Sequence, residues 1–232
     1  MLDLRQACFN QGSFSLLANF MVPRGARVAV IGPSGGGKST LLHGISGFLY
    51  PTAGEVLWNG EIMPNHPGER PLSILFQDHN LFPHLCVADN VAVGIDPSIR
   101  LSEEQASLVR VALSQVGLSE KAAAFPRELS GGQQGRVGLA RILLRKRPLI
   151  LLDEPFSALG PALKDEMLDV LSEILDITNA TALMVTHDTN DAISFGDQAI
   201  LVAEGQAYPP QQIKPLLANP PLALREYLGN RT

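Results

Sequence analysis

The stretch Gly32-Pro33-Ser34-Gly35-Gly36-Gly37-Lys38-Ser39-Thr40 restricts the possible folds of this chain more than any other. It follows Arg27-Val28-Ala29-Val30-Ile31, which is short, β-branched and apolar and so reads as a buried strand. Ser39-Thr40-Leu41-Leu42 opens a helical pattern. A glycine-rich turn between such a strand and helix aims backbone N–H groups and the helix dipole at one spot, which suits a phosphate. The spacing is that of G-x-x-x-x-G-K-[ST], the Walker A loop. Lys38 adds a point charge for the β- and γ-phosphates of a nucleoside triphosphate, and the Ser39 hydroxyl can ligate Mg²⁺. The strand and helix on either side weigh against a glycine-rich turn of no consequence.

Leu149-Ile150-Leu151-Leu152-Asp153-Glu154-Pro155 carries four apolar residues in a row, the mark of a central strand in a parallel sheet. Acids at the end of that strand belong at the sheet's carboxyl edge, beside the phosphates. Asp153 can hold the metal through water, and Glu154 can orient and polarise an attacking water. The plainer reading is that Asp-Glu-Pro opens the next helix, where early acids suit the dipole. Two more polar residues end apolar strands. Gln77 follows Leu72–Phe76 and reaches toward Mg²⁺ and the water; His187 follows Ala182–Thr186 and reaches toward the γ-phosphate or Glu154. Taken alone, each is as well explained as a loop residue.

Leu129-Ser130-Gly131-Gly132-Gln133 precedes another hydrophobic helical pattern. Ser130 is a natural N-cap, and two glycines let the backbone approach an anion closely. A nucleotide already held by the first loop leaves this second anion-receptive turn without work inside one chain. Two unfinished half-sites point to a protein that acts as a pair.

Walker A, the Gln77 loop, the Leu129–Gln133 signature, Walker B ending at Glu154 and the His187 switch follow one another along the chain. In that order they resemble the ATP-binding subunit of an ABC transporter, over nearly the whole chain. The resemblance implies ATP and Mg²⁺ as cofactors, with Ser39, Gln77 and Asp153 toward the metal. It implies that Ser130, Gly131, Gly132 and Gln133 of one copy meet the γ-phosphate held by residues 32–40 of another, so that a homodimer forms on ATP binding. Members of the family carry an aromatic near Phe9 that stacks on adenine; a buried Phe in an N-terminal strand is the other reading of that residue. The family usually reads Ser-Ala-Leu-Asp after Walker B, whereas Ser157-Ala158-Leu159 is followed here by Gly160, which bears on coupling between the two sites. Gly135 and Gly138 stand where the family favours Gln and Ala, and each costs about 1 kcal/mol of helix propensity relative to Ala.

Leu81-Phe82-Pro83-His84-Leu85 resembles importers, in which this surface receives the permease. The Arg70–Gln77 run, Ile95-Asp96-Pro97 and the short C-terminus resemble the thiamine importers. Ferric-iron, polyamine, sulfate and molybdate importers have similar cores. Partners implied are an integral-membrane permease and, through it, a periplasmic or extracellular solute-binding protein, with the chain on the cytoplasmic face of the bacterial inner membrane. A small-molecule P-loop kinase would leave residues 129–133 without purpose. A DNA-repair or translation ATPase needs insertions this chain lacks, and a non-hydrolysing partner cassette is the reading that Gly160 suggests.

Composition agrees. The 232 residues can bury a good core, and a net charge of −5 argues against general nucleic-acid binding. No apolar run approaches the roughly 20 residues that span a bilayer, and Met1–Arg5 lacks the basic start of a signal peptide. Cys8 and Cys86 have no metal or redox spacing and are expected as reduced thiols. The fold expected is α/β: a P-loop NTPase (RecA-like) core with an antiparallel β layer and a helical signature subdomain. A single domain, 1–232, divides into the core and β layer (1–83 and 146–232) and the helical subdomain (84–145). Within it, Ser102 and Gln105 form a capping box for a helix stopped by Gly117, and Leu163, Met167, Leu171 and Ile174 share one helix face. The proline-rich tail from Pro209 is expected to pack on the core.

Overall fold

A computed structural model of the protein describes residues 1–78, 80–157 and 159–228. Strands β1 (Leu2–Gln11) and β2 (Phe14–Val22) pair antiparallel, and β3 (Arg27–Ile31) runs into the glycine-rich turn and helix α1 (Lys38–Ser46). Beyond α1, β4 (Ala53–Trp58) pairs with the other edge of β1, and β5 (Glu61–Ile62) folds back on β4. Asn59 and Gly60 between them have φ of 55° and 88°, the left-handed pair that a two-residue hairpin turn demands.

The chain then alternates. After β6 (Leu72–Leu75) come helices α2 (Val87–Ala92), α3 (Glu103–Gln115) and α4 (Gly131–Arg145). Next are β7 (Leu149–Asp153), α5 (Pro161–Thr178), β8 (Thr181–Val185), α6 (Thr189–Phe195) and β9 (Gln198–Ala203). Short elements β10 (Gln206–Ala207), β11 (Gln211–Gln212), α7 (Ile213–Ala218) and α8 (Leu222–Leu228) complete it. Strands β9, β3, β8, β7 and β6 lie side by side and parallel. Through β10 this sheet continues into the antiparallel layer β2-β1-β4-β5. The structure is therefore the α/β arrangement of a P-loop NTPase with an antiparallel layer.

Among the described residues, three apolar clusters hold it together. Leu41, Leu42 and Ile45 of α1 are fully buried between the antiparallel layer and one face of the parallel sheet. Helices α2 to α5 cover the other face, where Met167, Leu171 and Ile174 of α5 bury the predicted stripe and Leu163 is only half-buried. Ile213, Leu216 and Leu224 of the tail pack against Ala29, Ile31 and Leu201, so the tail does lie on the core. Its short strands and helices escape a sequence reading because none is long enough to show a period.

Local chemistry explains the boundaries. Ser102 and Gln105 form the reciprocal capping box of α3, and Gly117 past its end takes φ 67°. Helix α4 runs unbroken through Gly135 and Gly138. A Cβ at Gly138 would stand 2.6 Å from Leu75 Cδ1, so this glycine lets α4 approach β6 closely, which offsets its propensity cost. Among the described residues, no helix is long and apolar enough to cross a membrane, and Cys8 and Cys86 are free thiols.

Candidate active site

All five parallel strands point the same way, so the residues that follow β3, β6, β7 and β8 gather at one sheet edge. The turn after β3 has left-handed glycines at Gly32, Gly35 and Gly37, with φ of 148°, 76° and 104°. Gly32 has a second reason to lack a side chain: its Cβ would run into the carbonyl of Val202 on β9. Gly37 caps α1 without a side chain, and the helix's first turn contains no acid to compete for an anion. Lys38 Nζ donates to the carbonyls of Gly32 and Pro33 at 2.8 and 2.9 Å, which lays the ammonium along the turn. Ser39 is exposed, whereas Thr40 is buried and donates to Gln11 Oε1 at 3.4 Å.

The electrostatics show which acids meet this lysine. Burial pulls the Lys38 ammonium below its ordinary range, while Glu154 and Asp153 push it back up. Burial and then the Glu154 charge raise the Asp153 carboxyl, against the pull of His43 and Lys38. Asp153 is the last residue of β7 and sits in register with Val185 of β8. The next N–H, that of Glu154, donates to the Val185 carbonyl at 3.1 Å, and Glu154 takes φ 46°, unusual for a residue with a side chain. Its carboxylate Oε2 then stands 3.2 Å from Nδ1 of His187, two residues past β8. Helix α5 starts only at Pro161, so Asp153 and Glu154 do not sit in its first turn, and the helix-opening reading of these acids fails.

Gln77 is exposed two residues beyond β6 and, with Phe76, Asp78, Asn80 and Asp153, lines an open cavity of about 580 Å³. Ser130 caps α4 as expected. Its Oγ accepts from the Gln133 N–H at 3.3 Å, and Gln133 Oε1 accepts from the Ser130 N–H at 3.0 Å. The side chain of Gln133 is thus used in holding its own turn. Gly131 is open to solvent on its Cβ side, while Gly132 packs directly on Leu163 of α5. Residues 130–133 therefore stand on the helical side of the fold, bonded to one another and packed on α5.

Phe9 requires a correction to one of its two readings. It is 0% exposed, and its ring lies against Gly44 of α1 at a distance no Cβ could tolerate. A ring so enclosed has no face for adenine, and Phe9 is a core residue. Sequence reasoning passed over Phe14, whose half-buried ring reaches Gly37: a Cβ there would stand 2.8 Å from Phe14 Cζ. The available signal was an aromatic just after the Gly12-Ser13 turn.

The family model described as ABC transporter matches residues 17–157, well over half of the chain, and takes in the glycine-rich turn, Gln77, residues 129–133 and Glu154. The chain belongs to the ABC transporter family. This ABC chain is 55% identical over 230 residues to the thiamine import ATP-binding protein ThiQ of Cereibacter sphaeroides, covering 99% of this chain and 100% of that one. It is 53% identical over 230 residues to ThiQ of a Ruegeria species, again covering 99% and 100%. Among solved structures, it resembles the ATP-binding cassette MJ0796 in a dimeric post-hydrolysis state bound to ADP and Pi. That likeness has a TM-score of 0.78 and 30% identity, over 92% of this chain and 99% of that one.

Proposed function

We propose that this chain is the ATP-hydrolysing subunit of a thiamine importer, working as a pair of copies on a membrane permease. The observation that carries the proposal is the full-length likeness, at 55% identity, to a thiamine import ATP-binding protein. That likeness favours thiamine over ferric iron, polyamines, sulfate or molybdate. The site chemistry supports the enzymatic half: Lys38, Asp153, Glu154 and His187 share the edge where the glycine-rich turn opens.

Residues 32–40 bind the triphosphate, with Lys38 on the β- and γ-phosphates and backbone N–H groups around it. Ser39, Gln77 and Asp153 can each offer oxygen to a metal, the donor type Mg²⁺ prefers, and Asp153 is a half-buried acid that a cation would relieve. These three residues would hold a Mg²⁺ ion, which would supply positive charge against the charge that develops on the phosphates. Glu154 orients and polarises the attacking water, and His187 holds Glu154 and the γ-phosphate side of the site. Ser130, Gly131 and Gly132 of the second copy close on that phosphate; Gln133 supports them as the capping partner of Ser130. Phe14, beside Gly37, offers adenine the aromatic surface that Phe9 lacks. The helical block 84–145 acts as the subdomain that carries residues 130–133. A solute-binding protein meets the chain only through the permease, on whose cytoplasmic face the chain docks. ATP closes the pair only as far as it binds the closed state better than the open one.

Light scattering on Glu154→Gln protein with and without Mg-ATP tests the paired site. A shift from monomer to dimer on adding nucleotide is expected, and a protein that binds ATP yet stays monomeric removes the shared site. Uptake of labelled thiamine by cells deleted for this gene tests the cargo; unchanged uptake excludes thiamine.

A further inference from the structure

The first turn of helix α5 grips two functional segments at once. Leu163 covers Gly132 of the signature turn. The next residue, Lys164, reaches the other way. Its side chain is 14% exposed, and its ammonium donates to Asp188 Oδ2 at 3.2 Å and Asp191 Oδ2 at 3.1 Å. These acids lie just beyond His187. On the near side, Thr186 is 4% exposed; its hydroxyl accepts from the Asp188 N–H at 3.1 Å and donates to Asp191 Oδ2 at 3.4 Å. His187 is thus the exposed member of a segment whose neighbours are tied to one half-buried cation, Asp188 and Asp191 directly and Thr186 through Asp191.

We propose that Lys164 is a positioning residue for His187, coupling the place of the switch histidine to the helix turn that packs on the signature. This rests on the reading of the site given above and adds a residue to it. Lys164 touches no reacting atom. It acts through the turn 186–191: without its charge, Asp191 and Asp188 lose their shared partner, the turn relaxes, and His187 leaves Glu154. The Gly160 carbonyl accepts from the N–H groups of Leu163 and Lys164 at 3.1 and 3.0 Å, so the residue that departs from the family pattern anchors this same helical turn. Burial pulls the Lys164 pKa down and the hydrogen bonds to Asp191 and Asp188 more than offset it, leaving it raised, as a permanently charged tie requires.

The test is steady-state ATP turnover by purified protein in Mg²⁺ buffer, comparing wild type, Glu154→Gln, Lys164→Met and Lys164→Arg. Lys164→Met is expected to lower kcat on the order of 10- to 100-fold, as misplacement of a working group does. Its KM for ATP should stay within about twofold, because residues 32–40 are untouched. Lys164→Arg should recover most of the rate, since the guanidinium can span both acids. A companion Lys164→Met/Asp191→Asn variant removes one stranded carboxylate; it should melt near wild type and remain slow. Full recovery of rate in that variant, or wild-type kcat in Lys164→Met, overturns the proposal. A wild-type rate lost in Glu154→Gln but kept in Lys164→Met overturns the proposal alone. A rate that survives Glu154→Gln overturns the reading of the site, and the proposal with it.

Discussion

Glu154 Oε2 and His187 Nδ1 stand 3.2 Å apart across a sequence separation of 33 residues. Neighbouring parallel strands make the meeting: Asp153 is in register with Val185, so one residue beyond β7 and two beyond β8 reach the same edge. The left-handed Glu154 backbone, with φ 46°, turns its side chain from the strand toward the histidine. A conformation of this kind costs of order 1–3 kcal/mol and persists where surrounding structure enforces it, here through the bond from the Glu154 N–H to Val185. Glu154→Gln keeps the shape and removes the charge. Its kcat should fall about 10²- to 10⁴-fold while ATP affinity is retained, as measured by single-turnover hydrolysis beside a binding titration.

Lys38→Ala removes the cation that the turn itself holds in place. The loss of charge-assisted bonds to phosphate, about 1.5–3 kcal/mol, should weaken ATP binding roughly 10- to 100-fold or more in a calorimetric titration. Unchanged affinity would take Lys38 out of the site.

Asp153 gives a pH signature in the protein without nucleotide. Its carboxyl is raised in the fold, chiefly by burial, so the folded state binds that proton more tightly than the unfolded chain does. The corresponding stability is fully present below the ordinary carboxylate pKa and is lost as pH rises through the raised value. At neutral pH the fold therefore carries the cost of this shift. Asp153→Asn should melt higher than wild type at pH 7, with the gap closing toward pH 4, in thermal melts without Mg²⁺. A gap that is the same at both pH values would mean that ionisation of Asp153 is not its source.

Gly160 can be restored to Asp without strain. Its φ is −71°, it occupies the N-cap of α5 with no side-chain cap, and a Cβ there meets nothing within 4 Å. Gly160→Asp should add roughly 0.3–1 kcal/mol by capping α5 and facing its dipole. Denaturant unfolding measures this, and a loss of stability would show that the turn cannot accept the carboxylate.

Phe9 and Phe14 should separate stability from binding. Phe9→Ala empties a fully enclosed site and should cost about 3–5 kcal/mol. Phe14→Ala should unfold closer to wild type yet lose about 1 kcal/mol or more of ATP affinity through the missing base stacking. If Phe14→Ala binds ATP as wild type does, the adenine surface lies elsewhere.

The glycine-rich turn, the buried strand Leu149–Leu152 and the caps at Ser102 and Ser130 were all legible along the chain, because each depends on residues within about four positions of one another. A glycine that must take positive φ, a serine that must accept from the third following N–H, and an apolar run buried on both faces each carry their cause locally. Phe9 and Lys164 carry no such local cause. Whether Phe9 faced adenine or the core depended on α1 lying beneath β1, with Gly44 against the ring, and the two segments are more than thirty residues apart. Lys164 reads in isolation as one more charge at the start of a helix. It becomes a clamp beside His187 only because α5 packs so that its first turn faces the end of β8. Such relations depend on the order and register of strands, and that order follows from how the apolar faces of whole elements fit together, which no short window of residues specifies.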